Sequence, residues 1–257
     1  MVKIISIASG KGGVGKTVAT ANIGTALASH YGKKTVVVDC NLTNPHLSLY
    51  LGGISSWPAT LNDVLQKNAG MDEVIYEHST GLKIIPASFD SRDLRRMSMY
   101  RLRSKIKDAF KGYEADIVIL DSAPGLSSES LLTMRAADEV LFVATPHIPA
   151  VIDITKTCQL LKNDDAKPIG ILMNRVKNHS YELGEKEITK FTDLPVIASV
   201  PESDIILKST NFKTPAVKMK PNDKASRGFL HAAGVLIDEK YMPSTGFLSR
   251  IMQKLGR

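Results

Sequence analysis

Cysteine is scarce in this chain, and the two present, Cys40 and Cys158, lie far apart in its 257 residues. They form neither a C-x-x-C pair nor a zinc spacing, which argues against a thiolate-held metal or an iron–sulfur carrier. The six histidines, at 30, 46, 78, 147, 179 and 231, show no paired spacing and read as surface or core residues rather than ligands. No apolar run approaches the ~20 residues of a membrane-spanning helix. The N-terminus lacks the charged region, apolar stretch and cleavage site of a signal peptide, so the expected location is cytoplasmic. No internal repeat, low-complexity linker or terminal tyrosine cluster is present. Acidic residues are outnumbered, 26 against 33 basic ones, giving a formal charge of +7 and a pI near 9.3. That excess points to an anionic partner, nucleic acid or an acidic membrane surface, and charge alone does not choose between them. The 43% of hydrophobic residues suffices for one sizeable core without covalent staples.

The most informative stretch is G-K-G-G-V-G-K-T, comprising Gly10, Lys11, Gly12, Gly13, Val14, Gly15, Lys16 and Thr17. It follows the apolar run Lys3–Ala8, short enough for a buried strand. After it, Ile23, Ala26 and Leu27 recur at helical spacing between Val18 and His30. Strand, glycine-rich turn and helix together turn this pattern into a phosphate site, the ordinary tight turn being the bland alternative. Bare glycine backbone wraps closely enough to aim several N–H groups at phosphate oxygens. Lys16 brings a cation to the β- and γ-phosphates, the Thr17 hydroxyl is a Mg²⁺ ligand, and the helix start adds partial positive charge. The ligand implied is a nucleoside triphosphate with Mg²⁺.

Two further apolar runs end in carboxylates. Lys34–Asp39 and Ala115–Asp121 have the form of buried parallel strands with a functional residue at the C-terminal edge. Asp121, behind four apolar residues, reads as a Walker B aspartate aimed at the Mg²⁺ site; the local alternative is a helix N-cap. Strands are also expected at Leu82–Pro86, Glu139–Thr145, Pro168–Met173 and before Pro201, and helices at Trp57–Lys67, Ser91–Lys111, Leu126–Ala137, Ile148–Lys162 and Asn222–Lys240. This alternation predicts an α/β fold, a single-domain doubly wound and mostly parallel sheet flanked by helices, over residues 1–240.

The loop K-G-G-V-G-K-T resembles the deviant Walker A of the MinD/ParA family of P-loop ATPases, and in pattern the chain is closest to prokaryotic, archaeal-type MinD-like members. The likeness spans nearly the whole chain. It implies ATP as the nucleotide and a nucleotide-sandwich homodimer in which Lys11 reaches the partner subunit's ATP. Val18 stands where many relatives have threonine, which removes a possible hydroxyl contact to the α-phosphate. Gly81–Ser88 matches a family segment, and Asp121–Gly125 resembles switch II with alanine and proline exchanged. An amide can pair with both N6 and N7 of adenine; in the family an asparagine at the strand end now held by Asn174 faces the base. The segment 196–204 matches a proline-led loop beside the adenine, which adds Arg175, Pro201 and Glu202 to the expected nucleotide site. In the family, the strand after the P-loop helix commonly ends D-x-D, the first aspartate supporting the Mg²⁺ shell and the second activating the attacking water. Here the residues are Asp39, Cys40 and Asn41. An amide can orient water but cannot accept a proton, so hydrolysis is expected to be slow.

The chain closes with a linker and tail over 241–257. Phe247, Leu248, Ile251, Met252 and Leu255 share one helical face opposite Arg250, Lys254 and Arg257, and no acidic residue follows Glu239. This is the pattern of an interfacial membrane helix, and it resembles the membrane-targeting helix of MinD-like members; a helix folded back on the body is the alternative. Ser91–Lys111 is the most basic stretch, either a solvated face or a docking surface for DNA, lipid headgroups or an acidic protein. The expected function is a MinD-like ATPase that dimerises on Mg-ATP, attaches reversibly to an anionic membrane surface and positions an unidentified protein partner. A ParA-like DNA-partition ATPase, or an ATP-binding switch with little hydrolysis, is the alternative.

Overall fold

Runs of β-branched residues, buried on both faces, build the centre of the molecule. The computed structural model describes residues 2–53, 57–90, 92, 102–110, 114–239 and 241. Its strands are β1 (Lys3–Ala8), β2 (Thr35–Asp39), β3 (Tyr76–Glu77), β4 (Lys83–Ile85), β5 (Ile117–Asp121), β6 (Glu139–Ala144), β7 (Lys167–Val176) and β8 (Val196–Pro201). They form one sheet in the order β3-β4-β2-β5-β1-β6-β7-β8, parallel throughout except for the β3–β4 pair. The helices are α1 (Lys16–Ser29), α2 (Leu47–Tyr50), α3 (Leu61–Gln66), α4 (Leu102–Ala109), α5 (Ser128–Ala136), α6 (Ile148–Leu161), α7 (Glu185–Thr192), α8 (Asp204–Asn211), α9 (Ala216–Met219) and α10 (Lys224–Leu236).

Successive side chains of a strand point to opposite faces, and here both faces are covered. Ile5, Ile7, Val37 and Ile119 join the core under α1 and α10. Val36, Val38, Val118 and Leu120, their immediate neighbours in sequence, join the core under α3 and α4. A third cluster continues that second layer around Phe142 and Ile154 of α6. The doubly wound, mostly parallel sheet expected from the sequence is therefore the observed fold.

Element boundaries moved for local reasons. Helix α1 starts at Lys16, two residues before the sequence reading, because the glycine loop is tight enough for the helix to begin inside the motif. Helix α3 begins only at Leu61, where the Thr60 N–H and hydroxyl both donate to the Asp63 carboxylate, at 2.8 and 2.9 Å. Helix α5 is capped by Ser127, whose hydroxyl accepts from the Ser130 N–H at 3.1 Å. The edge strand β3 and the helices α7, α8 and α9 were not anticipated; they are short, and α7 and α8 bury only two residues each.

Within the basic stretch Ser91–Lys111, α4 buries Leu102 and Ile106. Two of its cations are engaged by the body: Arg103 pairs with Asp165, and Lys107 with Asp138 at 3.4 Å. Arg95, Arg96, Arg101 and Lys111 lie outside the described residues, as do Phe247, Leu248, Ile251, Met252 and Leu255 of the tail. Among the described residues no helix is long and apolar enough to cross a membrane.

Close approach of α1 to the sheet depends on Gly24. A Cβ there would stand 2.5 Å from Val37 Cγ1 and 3.4 Å from Leu82 Cδ1. Alanine in a helix interior ordinarily gains ~1 kcal/mol over glycine, whereas overpacking a core costs ~1–3 kcal/mol. The clash involves a β-branched side chain with little freedom, so overpacking wins. Gly24→Ala should lower the urea midpoint at unchanged m-value; a variant as stable as the parent would contradict this packing.

Candidate nucleotide-binding site

Strand order brings the site together. Asp39 of β2 and Asp121 of β5 are register partners, and Asp121 also pairs with Ile7 of β1. The loops after β1, β2 and β5 therefore open at one sheet edge, outside the carboxyl ends of the strands, where α/β sheets bind ligands.

The glycine loop is pressed between its neighbours. Gly13 and Gly15 have φ of 78° and 92°, in the left-handed region that glycine adopts without strain. A Cβ on Gly15 would stand 2.2 Å from Asn174 Nδ2, and one on Gly10 would stand 2.3 Å from Asp153 Cβ. The Gly125 N–H donates to the Ser9 carbonyl at 3.0 Å, tying the segment after β5 to the loop. Gly12 faces Pro124 of the same segment. Gly15 offers α1 no side-chain cap, so the N–H groups of the first helical turn are left for an anion. Lys11 is exposed at the loop's rim.

Asp121 is the hub beneath this loop. Its Oδ1 accepts from Lys16 Nζ at 3.0 Å and from the Thr20 hydroxyl at 3.1 Å, and its Oδ2 accepts from the Thr17 hydroxyl at 2.7 Å. The pair is almost sealed from solvent, Lys16 being 6% and Asp121 1% exposed. Thr20 was missed at the sequence level; the available signal was a hydroxyl one helical turn beyond Lys16, on the face α1 turns to β5.

Asp39 is placed beside Asp121, but its oxygens serve the following loop. Oδ1 accepts from the Asn41 N–H at 3.1 Å and Oδ2 from the Leu47 N–H at 3.0 Å. Burial, and next the charge of Asp121, push the Asp39 carboxyl up to about 8, against the pull of these two N–H bonds and of Lys16. The same burial, reinforced by Asp39 and Asp121, drives the Cys40 thiol well above its ordinary range, which leaves it inert as a nucleophile. Asn41 is 8% exposed. Its Nδ2 donates to the Asn44 carbonyl at 2.7 Å, which leaves its second amide proton and Oδ1 for other partners.

On the far side of the loop a cavity of about 250 Å³ is lined by Gly15, Val18, Asn174, Arg175, Pro201 and Glu202, with residues of α8 closing it. The structure thus gathers the residues expected around the base. Asn174 Nδ2 donates to the Val14 carbonyl at 2.8 Å; its second amide proton and Oδ1 remain for a ligand. Arg175 has φ of 57°, a left-handed residue at the register shift between β7 and β8. Glu202 is held by Lys177 at 2.8 Å.

The residues fit a Mg²⁺-bound nucleotide. A cradle that a Cβ would fill, a lysine and a helix start suit phosphate; Thr17 and Asp121 are hard oxygen donors. Among the described residues no group of three or more His, Cys, Asp or Glu could hold a metal. Mg²⁺ takes few protein ligands and completes its shell with phosphate and water.

Asp39 carries a pH dependence. Its pKa stands above the ordinary 3.8 in the folded chain, so the folded state keeps a proton that the unfolded chain releases. This contribution is fully present below the ordinary value and is lost as pH rises toward about 8. In the nucleotide-free protein, urea midpoints should fall across that window, with a slope of at most ~1.36 kcal/mol per pH unit. Asp39→Asn should flatten the slope. Equal slopes in both proteins would mean that the carboxylate stays ionised, held by its two N–H donors.

Comparison with known proteins agrees with this geometry. Residues 5–216 match the CobQ/CobB/MinD/ParA nucleotide binding domain. An uncharacterized ATP-binding protein of Methanocaldococcus jannaschii is 37% identical over 241 residues, covering 94% of this chain and 90% of that one. The septum site-determining protein MinD of Thermotoga maritima is 31% identical, covering 91% and 87%. Among solved structures, MinD of Pyrococcus horikoshii complexed with Mg-ADP superimposes with a TM-score of 0.86 at 32% identity, covering 92% of this chain and 96% of that one. With a family match over most of its length and relatives above 30% identity, the chain belongs to the CobQ/CobB/MinD/ParA nucleotide-binding family.

Proposed function

We propose that the chain is a MinD-like ATPase that binds Mg-ATP, dimerises around it and attaches reversibly to membrane to position a protein partner. The observation that carries the reading is the grip of Asp121 on Lys16, Thr17 and Thr20 beneath an open glycine loop. Lys16 exchanges the Asp121 carboxylate for phosphate oxygens when nucleotide enters, which frees Asp121 and Thr17 as metal ligands. Held by Thr17 and Asp121, Mg²⁺ would supply neutralisation of the phosphate charge. The first-turn N–H groups of α1 hold phosphate oxygens, and Asn174 with Arg175, Pro201 and Glu202 surrounds the base. Asn41 orients the attacking water through Oδ1. It cannot take the proton, so turnover is slow, and phosphoryl transfer proceeds mainly by positioning and electrostatics. Exposed Lys11 has its task across the homodimer, on the partner's phosphates.

Membrane attachment is assigned to the tail. Its five apolar side chains bind weakly alone, at ~25 cal/mol per Å² buried. Two tails in one dimer raise avidity by ~10²-fold or more, so ATP recruits and hydrolysis releases. DNA partition is the second reading, supported by the charge of +7. The ion pairs of Arg103 and Lys107 with the body weaken it, because they neutralise part of the basic stretch.

Lys16→Ala should abolish ATP binding in calorimetry. It also strands a buried carboxylate, so the free protein should lose ~3 kcal/mol; binding that survives in a folded variant would refute the site. Asn41→Asp should speed single-turnover hydrolysis by ~10-fold or more, at some loss of stability, since a carboxylate oxygen would replace the amide donor facing Asn44. An unchanged rate would assign water orientation to another residue.

Deleting 247–257 should eliminate ATP-dependent sedimentation with anionic vesicles and leave ATP affinity intact. Lys11→Ala should retain nucleotide yet stay monomeric by light scattering. Sedimentation of the truncated chain with DNA but not vesicles would favour the partition reading.

A further inference from the structure

Glu129, in the first turn of α5, lies outside every motif considered above. An acidic residue there commonly does no more than complement the helix dipole, and Ser127 already caps this helix. Glu129 instead turns its carboxylate to the loop after β2. Its Oε1 accepts from the N–H groups of Leu42 and of Thr43, the latter at 3.2 Å, and its Oε2 accepts from the Thr43 hydroxyl at 2.8 Å. The two partners stand 86 and 87 residues away in sequence, and they directly follow Asn41.

We infer that Glu129 is a positioning residue for hydrolysis: it fixes the loop carrying Asn41 to the helix that follows Asp121. The inference rests on the ATPase reading above. Asn41's own bonds, to Asp39 and to the Asn44 carbonyl, are local to its loop. The Cys40 N–H donates to the Asp121 carbonyl at 3.0 Å just before Asn41, and Glu129 adds a side-chain link just after it to the segment that is tied to the glycine loop through Gly125 and Ser9. The three loops are thereby held in one frame. A misplacement of ~1 Å at a reacting centre costs ~10²-fold in rate, and this link opposes such a displacement of the Asn41 amide.

The test uses the full-length chain and three variants. Glu129→Ala removes all three bonds. Glu129→Gln keeps an Oε1 acceptor for both N–H groups and loses only the charge and the Oε2 acceptor. Thr43→Val removes the hydroxyl bond alone and serves if Glu129→Ala folds poorly. Single-turnover hydrolysis should fall by ~10²-fold in Glu129→Ala, with Gln and Thr43→Val in between. ATP affinity should stay within about twofold, since no phosphate contact is touched. In Mg-ATP, hydrogen exchange of 41–46 should quicken in Glu129→Ala. In an Asn41→Ala background, Glu129→Ala should cost little more, because the group it positions is gone. A Glu129→Ala chain that hydrolyses at the parent rate, or a full additive loss on top of Asn41→Ala, overturns the inference and leaves the ATPase reading intact. A parent chain that turns over no ATP overturns that reading and the inference with it, and does so before any variant is compared.

Discussion

The buried pair between Lys16 and Asp121 is the constraint on which the site depends. Two opposite charges are taken almost wholly out of water, where breaking one from the other costs several kcal/mol. The fold meets this cost with geometry: Asp121 ends the central strand β5, its neighbours are β1 and β2, and α1 delivers Lys16, Thr17 and Thr20 to one carboxylate. Because all three donors come from one helix, the position of α1 on the sheet fixes the site. The bare backbone of Gly24 against Val37 and of Gly15 against Asn174 sets that position at two points.

Much of this was legible in the sequence. The glycine loop declares itself because phosphate binding demands bare backbone at fixed spacing, and the strands ending in Asp39 and Asp121 because burial on both faces demands unbroken apolar runs. Asn174 and the Pro201 loop, set by family resemblance, do meet in one cavity with Val18. The rest depends on three-dimensional register that no local pattern encodes. Thr20 is an ordinary helical residue until α1 lies against β5, and Glu129 is an ordinary first-turn acid until α5 faces the loop at Leu42. Helices α8 and α9 carry too few buried residues to leave a periodic signature. Asp39, expected at the metal shell, stands beside Asp121 in register, and its two oxygens accept from the N–H groups of Asn41 and Leu47.

The two loops flanking the site treat their backbone donors in opposite ways. In the glycine loop and the first turn of α1, N–H groups are left without a side-chain cap. In the loop after β2, the N–H groups of Asn41, Leu42, Thr43 and Leu47 are taken up by carboxylates, two by Asp39 and two by Glu129. These bonds hold the second loop in shape before ligand enters, while the first turn of α1 presents N–H groups without a side-chain cap to phosphate. The asymmetry also gives the amide at position 41 a physical role apart from its chemistry. A carboxylate there would be a third acid beside Asp39, Asp121 and a single buried lysine, facing the Asn44 carbonyl without a proton to offer it. Asn41 supplies that proton and adds no charge to a crowded pocket, so the amide closes the loop after β2 through the Asn44 carbonyl.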